Sequence, residues 1–152
     1  MKILHISKYY HPFRGGIEKV IKELAESTVK QGHEVTVLCA NEDNRRVEED
    51  VNGVRVIRLP NWMTLFSQPI TPSIFWEVRK LVSEADAVQM HTPNPLFEFA
   101  YLFCKPGVPF VVTYHCEVMK RRPLVRVYEP VSRAVLERAD SIVIATDHHL
   151  EY

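Results

Sequence analysis

Short apolar runs recur along the chain, and segments with helical apolar spacing lie between them. The first run, Lys2 to Ile6, predicts a strand ending at Ser7. A loop with Pro12 and a double glycine follows. From Ile17 the apolar positions fall at Ile17, Val20, Ile21, Leu24, Ala25 and Val29, which predicts an amphipathic helix. Gln31-Gly32-His33 stops it, with Gly32 as a left-handed cap. Glu34 to Cys39, rich in β-branched residues, predicts a second strand. Asn41 to Asn52 is charged and reads as a solvated segment. Gly53 to Leu59 alternates like a strand with one polar face, and Pro60 to Pro72 reads as a long loop carrying Trp62, Leu65 and Phe66. Beyond it the pattern predicts a helix over Ser73 to Ser83, a strand over Ala85 to Met90 and a loop from His91 to Pro95. A short apolar helix over Leu96 to Cys104, a buried strand over Pro109 to Tyr114, a helix over Leu124 to Arg138 and a sixth strand over Asp140 to Ala145 complete the series.

Strands that alternate with helices imply parallel pairing through right-handed crossovers. Near-continuous apolar strands imply helices on both faces of the sheet. The expected fold is therefore α/β, a Rossmann-like parallel sheet in a single domain over residues 1–152. Such folds bind ligands beyond the carboxyl ends of their strands. The segments that follow the strands thus become the places to look for chemistry: Ser7 to Gly16, His91 to Asn94, His115 to Arg122, and Thr146 onward.

Composition narrows the function classes. The chain has 152 residues, 46% apolar and 25% charged, an ordinary balance for a globular domain. Lys and Arg number 19, as do Asp and Glu, so the formal net charge is zero. That argues against a dedicated nucleic-acid binder, which is normally basic. The three cysteines, Cys39, Cys104 and Cys116, form no CxxC pair, so a disulfide framework and a structural zinc site are both disfavoured. No stretch approaches ~18 apolar residues, and the N-terminus lacks a signal-peptide pattern. A cytoplasmic protein with reduced thiols is expected.

Three clusters could carry chemistry. Gly15-Gly16-Ile17-Glu18 stands where the first strand gives way to the first helix; there glycines allow close backbone approach and helix N–H groups favour anions. It is neither GxGxxG nor a P-loop, and a tight capping turn is the plain alternative. Thr113-Tyr114-His115 sets an imidazole at the end of a buried strand, and His91 ends another in the same way. Either histidine can serve a ligand or be satisfied by a backbone carbonyl. Glu117 to Arg122 with Arg126 can bind phosphate or an anionic membrane surface, or be a solvated charge run. Cys116 lacks an oxyanion-hole motif around it and reads as a small buried thiol.

The opening MKILHISKYYHPFRGGIEKVIKELAESTVKQGHEVTVLC resembles the start of family-4 glycosyltransferases: a first strand, a proline-containing loop, a GG-I/V-E turn and a helix ending in G-H-E-V. ADAVQMHTPNP, PFVVTYHCEV and LERADSIVIAT follow in the family's order. VVTYHCEVMKRRPLVRVYEP is most similar to members that build lipopolysaccharide or O-antigen sugars, notably mannosyltransferases. The resemblance implies the N-terminal, acceptor-side half of a GT-B enzyme, whose second domain holds the nucleotide sugar. The implied reaction is transfer from a sugar nucleotide to a glycan or lipid-linked acceptor, with retention of configuration, no metal and no cofactor beyond the donor itself. It implies a catalytic place for His115 near the transferred sugar. Gly15 and Gly16 would lie against diphosphate or acceptor, and Glu18, His91, Glu117, Lys120 and Arg121 would contact acceptor or sugar. The family's donor-binding carboxylate pair belongs to the C-terminal domain, which we expect to be absent from this chain, so that the chain alone is inactive. Peripheral contact at the inner membrane face is a further expectation. The rival readings are a non-catalytic sugar- or nucleotide-binding module and a flavodoxin-like regulator. The regulator is disfavoured because Lys8 and Arg14, and no acid before Glu18, follow the first strand.

Overall fold

The protein is described by a computed structural model that covers residues 1–104, 107–115 and 122–144, with the backbone alone for 122–125. Seven strands form one sheet: β1 (Lys2–Ile6), β2 (Glu34–Ala40), β3 (Val47–Val51), β4 (Val54–Leu59), β7 (Ala87–Thr92), β8 (Phe110–Tyr114) and β9 (Ser141–Ile144). Two further strands, β5 (Met63–Leu65) and β6 (Gln68–Ile70), form a separate hairpin. The helices are α1 (Gly16–Lys30), α2 (Ile74–Glu84), α3 (Pro95–Tyr101) and α4 (Arg122–Arg138). The spatial order is β3-β4-β2-β1-β7-β8-β9, parallel throughout except for β3 against β4.

This order places a switch point in the middle of the sheet. From β1 the chain moves through α1 to β2 on one side; from β7 it moves through α3 to β8 on the other. Right-handed crossovers in opposite directions must put their helices on opposite faces, and the packing agrees. Leu4, Ile6, Leu38, Ile57, Val88, Met90, Phe110 and Val112 form one core with Ile74 and Val78 of α2, Phe97 and Tyr101 of α3, and Val135 of α4. Val35, Val37, Val54 and Val56 form the other core with Ile21 and Ala25 of α1. Residues alternate between these faces along each strand, as the pleat requires.

The apolar stripe of α1 is narrower than its sequence suggests. Ile17, Ile21, Ala25 and Val29 pack inward, whereas Val20 and Leu24 are exposed. The helix ends as expected: Gly32 takes a φ of 88° and its N–H donates to the Val29 carbonyl.

Two segments differ from expectation. The charged stretch before Gly53 contains β3, because its acidic side chains meet arginines of β4: Glu48 pairs with Arg55 at 2.6 Å and Glu49 with Arg58 at 2.7 Å. Asn52-Gly53, with φ of 55° and 84°, forms the two-residue turn that joins them. The loop after β4 likewise folds into the β5–β6 hairpin. Its turn is Phe66-Ser67, with φ of 50° and 64°, and Trp62, Met63, Leu65 and Phe66 are exposed on it.

Candidate active site

Three histidines stand in a row across the switch point. His5 of β1 and His91 of β7 lie on the sheet face opposite α2 and α3, each next to apolar neighbours that point the other way. His115 follows β8 directly, and its N–H donates to the Thr92 carbonyl at 3.1 Å, which extends the ladder by one residue. Side chains at these register positions step diagonally from strand to strand. His5 Nδ1 lies 3.1 Å from His91 Nε2, and His91 Nδ1 lies 3.1 Å from His115 Nε2. The ring centroids are 5.4 and 5.3 Å apart with interplanar angles of 14° and 23°. These separations exceed the nitrogen contacts by close to one ring width, so the rings meet edge to edge in one plane rather than face to face.

The row runs from core to surface. His5 is 1% exposed, His91 3%, and His115 is half-buried. Burial disfavours the imidazolium, pushing His5 down to about 4 and His115 below its usual range. His91 falls well below that range through burial first, and then through the positive charge its two neighbours would carry. All three are therefore neutral at pH 7. Their nitrogens face one another in a line and do not converge. Among the described residues, no group of His, Cys, Asp or Glu is arranged to hold a metal ion.

The glycine turn occupies the same carboxyl edge. Gly15 and Gly16 are exposed at the start of α1, and a side chain at Gly16 would meet open space. At Gly15 an added Cβ would collide with the Glu18 carboxylate, which folds back over the turn. Glu18 is thus buried in the first helical turn, where a negative charge complements the helix dipole. Arg58 anchors the loop before this turn. From a nearly buried position it donates to the carbonyls of Tyr10 and His11 and to Glu49 Oε1. Cys39 lies beside it, buried, with its thiol pushed up to about 12 by burial; it is inert chemically.

Beyond β7, Glu98 binds the next loop to α4. Its Oε1 accepts from the Asn94 backbone N–H and from the Tyr128 hydroxyl, each at 2.6 Å. Glu98 is fully buried, and burial raises its pKa; Oε2 has no hydrogen-bond partner among the described residues.

Of the residues singled out from the sequence, His91 and His115 come into contact, and Gly15, Gly16 and Glu18 share one turn. Glu117, Lys120, Arg121 and Cys116 lie outside the described residues, as does the tail from Thr146. Sequence reasoning passed over His5, Arg58 and Glu98. Each had a visible signal: a polar residue interrupting an apolar strand or a short apolar helix.

The model of the glycosyl transferase 4-like domain matches residues 15–152. The chain belongs to this family. It is 33% identical over 150 residues to D-rhamnosyltransferase WbpZ of Pseudomonas aeruginosa, covering 98% of this chain and 39% of that protein. It is 26% identical over 151 residues to O-antigen chain mannosyltransferase C of Escherichia coli, covering 99% of this chain and 41% of that protein. The chain thus spans about two fifths of the length of these curated relatives. A sucrose-phosphate synthase from Thermosynechococcus elongatus superposes with a TM-score of 0.67 at 18% identity, covering 99% of this chain and 44% of that one. The Rossmann-like sheet is therefore that of half a GT-B glycosyltransferase.

Proposed function

We propose that the chain is the acceptor-side domain of a retaining glycosyltransferase, which acts only with a donor-binding second domain. The observation that carries this reading is the placement of His115, after β8, and of the Gly15-Gly16 helix start, after β1, at the same carboxyl edge of the sheet on either side of β7, in a chain of this family. His115 touches the transferred sugar or its leaving phosphate, and Gly15-Gly16 with the first N–H groups of α1 faces the diphosphate or acceptor. Glu18, Glu117, Lys120 and Arg121 complete the acceptor and sugar contacts in this reading, while His91, buried and with both nitrogens taken by His5 and His115, supports His115 from behind. A nucleotide sugar is the donor substrate, no cofactor is used, and the acceptor is a glycan or lipid-linked glycan. The relatives' names, a rhamnosyltransferase and an O-antigen mannosyltransferase, support that class of acceptor and weigh against a non-catalytic binding module.

Glycosyl transfer separates charge: the sugar gains positive character while the departing diphosphate gains negative. A fixed hydrogen-bonding group at that point stabilises this without reorganising. No helix among the described residues is long and apolar enough to cross a membrane. We place the enzyme at the cytoplasmic membrane face, held by Trp62 and Phe66 of the hairpin together with Lys120, Arg121, Arg122 and Arg126.

The test compares this 152-residue chain with a protein that joins it to a donor-binding domain. Both are given UDP- and GDP-linked hexoses and a lipid-linked glycan extract. Transfer by the two-domain protein alone is expected. Robust transfer by the single domain, or none by either, would refute the reading.

A further inference from the structure

The three-histidine row has a direction, and its inner end sets it. A neutral imidazole carries one N–H and one bare nitrogen. His91 uses both nitrogens, so it donates to one neighbour and accepts from the other. Either each ring carries its proton on Nδ1 and donation runs outward from His5, or each carries it on Nε2 and donation runs inward. The far nitrogen of His5, Nε2, is buried and has no hydrogen-bond partner among the described residues. Inward donation would put an N–H there, an orphan donor in the core. Outward donation leaves only a bare lone pair. Among buried backbone groups an orphaned N–H is rarer than an under-satisfied acceptor, and we take the same preference to hold at an imidazole.

We infer that donation runs outward and that His91 is a positioning residue: its Nδ1–H donates to His115 Nε2 and thereby fixes the proton of His115 on Nδ1. The inference rests on the reading of His115 as a substrate-facing group. His115 then meets its substrate as a neutral N–H donor. It is disqualified as a general base, because Nε2 is occupied and Nδ1 already carries hydrogen. Two aligned hydrogen bonds polarise one another, which strengthens the outermost N–H as a donor. Such a donor suits an oxygen that gains negative charge, on the leaving phosphate or a sugar hydroxyl. The proton of the acceptor hydroxyl must leave by another route.

Long-range proton–nitrogen NMR spectra of the protein labelled at histidine read each tautomer directly, without any substrate. Wild type is expected to show His5, His91 and His115 all protonated on Nδ1. In His91→Leu the proton of His115 should redistribute to Nε2 in most molecules. In His91→Asn, whose amide N–H stands near the lost Nδ1, the Nδ1–H form should persist. His115 protonated on Nε2 in wild type overturns the inference. So does an unchanged Nδ1–H tautomer in His91→Leu, or its loss in His91→Asn. Should His91→Leu fail to fold, the wild-type spectrum still decides the direction. A His115→Ala enzyme with unaltered turnover would sink the catalytic reading while leaving the tautomers as described, so the two failures are distinct.

Discussion

Lowering the pH from neutrality to about 4 is expected to destabilise the domain, and the share of His5 can be worked out. Its pKa drops from 6.5 to about 4 because the side chain is buried. Between those values the unfolded chain binds the proton and the folded chain does not, so stability rises with pH across the window. The contribution is fully present above 6.5 and lost as the pH falls through 4. At ~1.4 kcal/mol per pKa unit, that is about 3 kcal/mol. His91 acts in the same direction through its burial, and half-buried His115 adds less. Glu98 works the other way. Its raised pKa gives stability that is complete below the ordinary carboxylate value and lost as pH rises through the folded one. Urea unfolding followed by circular dichroism at about pH 7, 6, 5 and 4.5 measures the slope. His5→Asn isolates the term, since its amide can bond His91 from near the Nδ1 position and does not titrate. The variant's stability should depend on pH less steeply, by about 2.5 kcal/mol between pH 7 and 4.5. A variant that tracks the wild-type slope would refute the reasoning.

Other outcomes follow from the same geometry. His115→Ala in the two-domain enzyme should lower kcat by ~10²–10³ with little change in donor KM, since the contact strengthens in the transition state; steady-state kinetics and a thermal melt on one sample separate this from simple destabilisation. Arg58→Met should cost about 2–3 kcal/mol by leaving two loop carbonyls unpaired and Glu49 without its partner, seen as a lower Tm. Tyr128→Phe should cost about 1 kcal/mol by removing the hydroxyl that bonds Glu98, read by urea unfolding. Trp62→Ser with Phe66→Ser should weaken co-sedimentation with anionic lipid vesicles, and charge reversal of Lys120, Arg121, Arg122 and Arg126 should weaken it further and in a salt-sensitive way, at about 1 kcal/mol per charge.

The parallel sheet was legible because burial on both faces writes itself as apolar runs: β1, β2, β7 and β8 sit within two residues of where their runs predict them. What escaped was held by polar pairing. β3 is acidic and is stabilised by arginines that stand several residues later, and its clearest signal was the Asn52-Gly53 turn. The site was legible at the carboxyl ends of β7 and β8, where His91 stands one residue before the end of its strand and His115 directly after its own. It was illegible at depth: His5 looks like a stray polar residue within KILHI until strand order sets β1 beside β7. Contact between residues 86 positions apart is a property of topology, which periodicity does not encode.

Among the described residues stand two hairpin turns of one backbone class, filled in opposite ways. Between β3 and β4 stand Asn52 and Gly53, the pair such a turn prefers; between β5 and β6 stand Phe66 and Ser67, which must hold the same left-handed dihedrals at roughly 1–2 kcal/mol each. A thermostability redesign that scores residues by backbone preference would therefore write Asn-Gly at the second turn and report an improvement. It would also remove the aromatic side chain exposed at the hairpin tip. Here the sequence that folds best and the sequence with this surface are different sequences, and this chain carries the second.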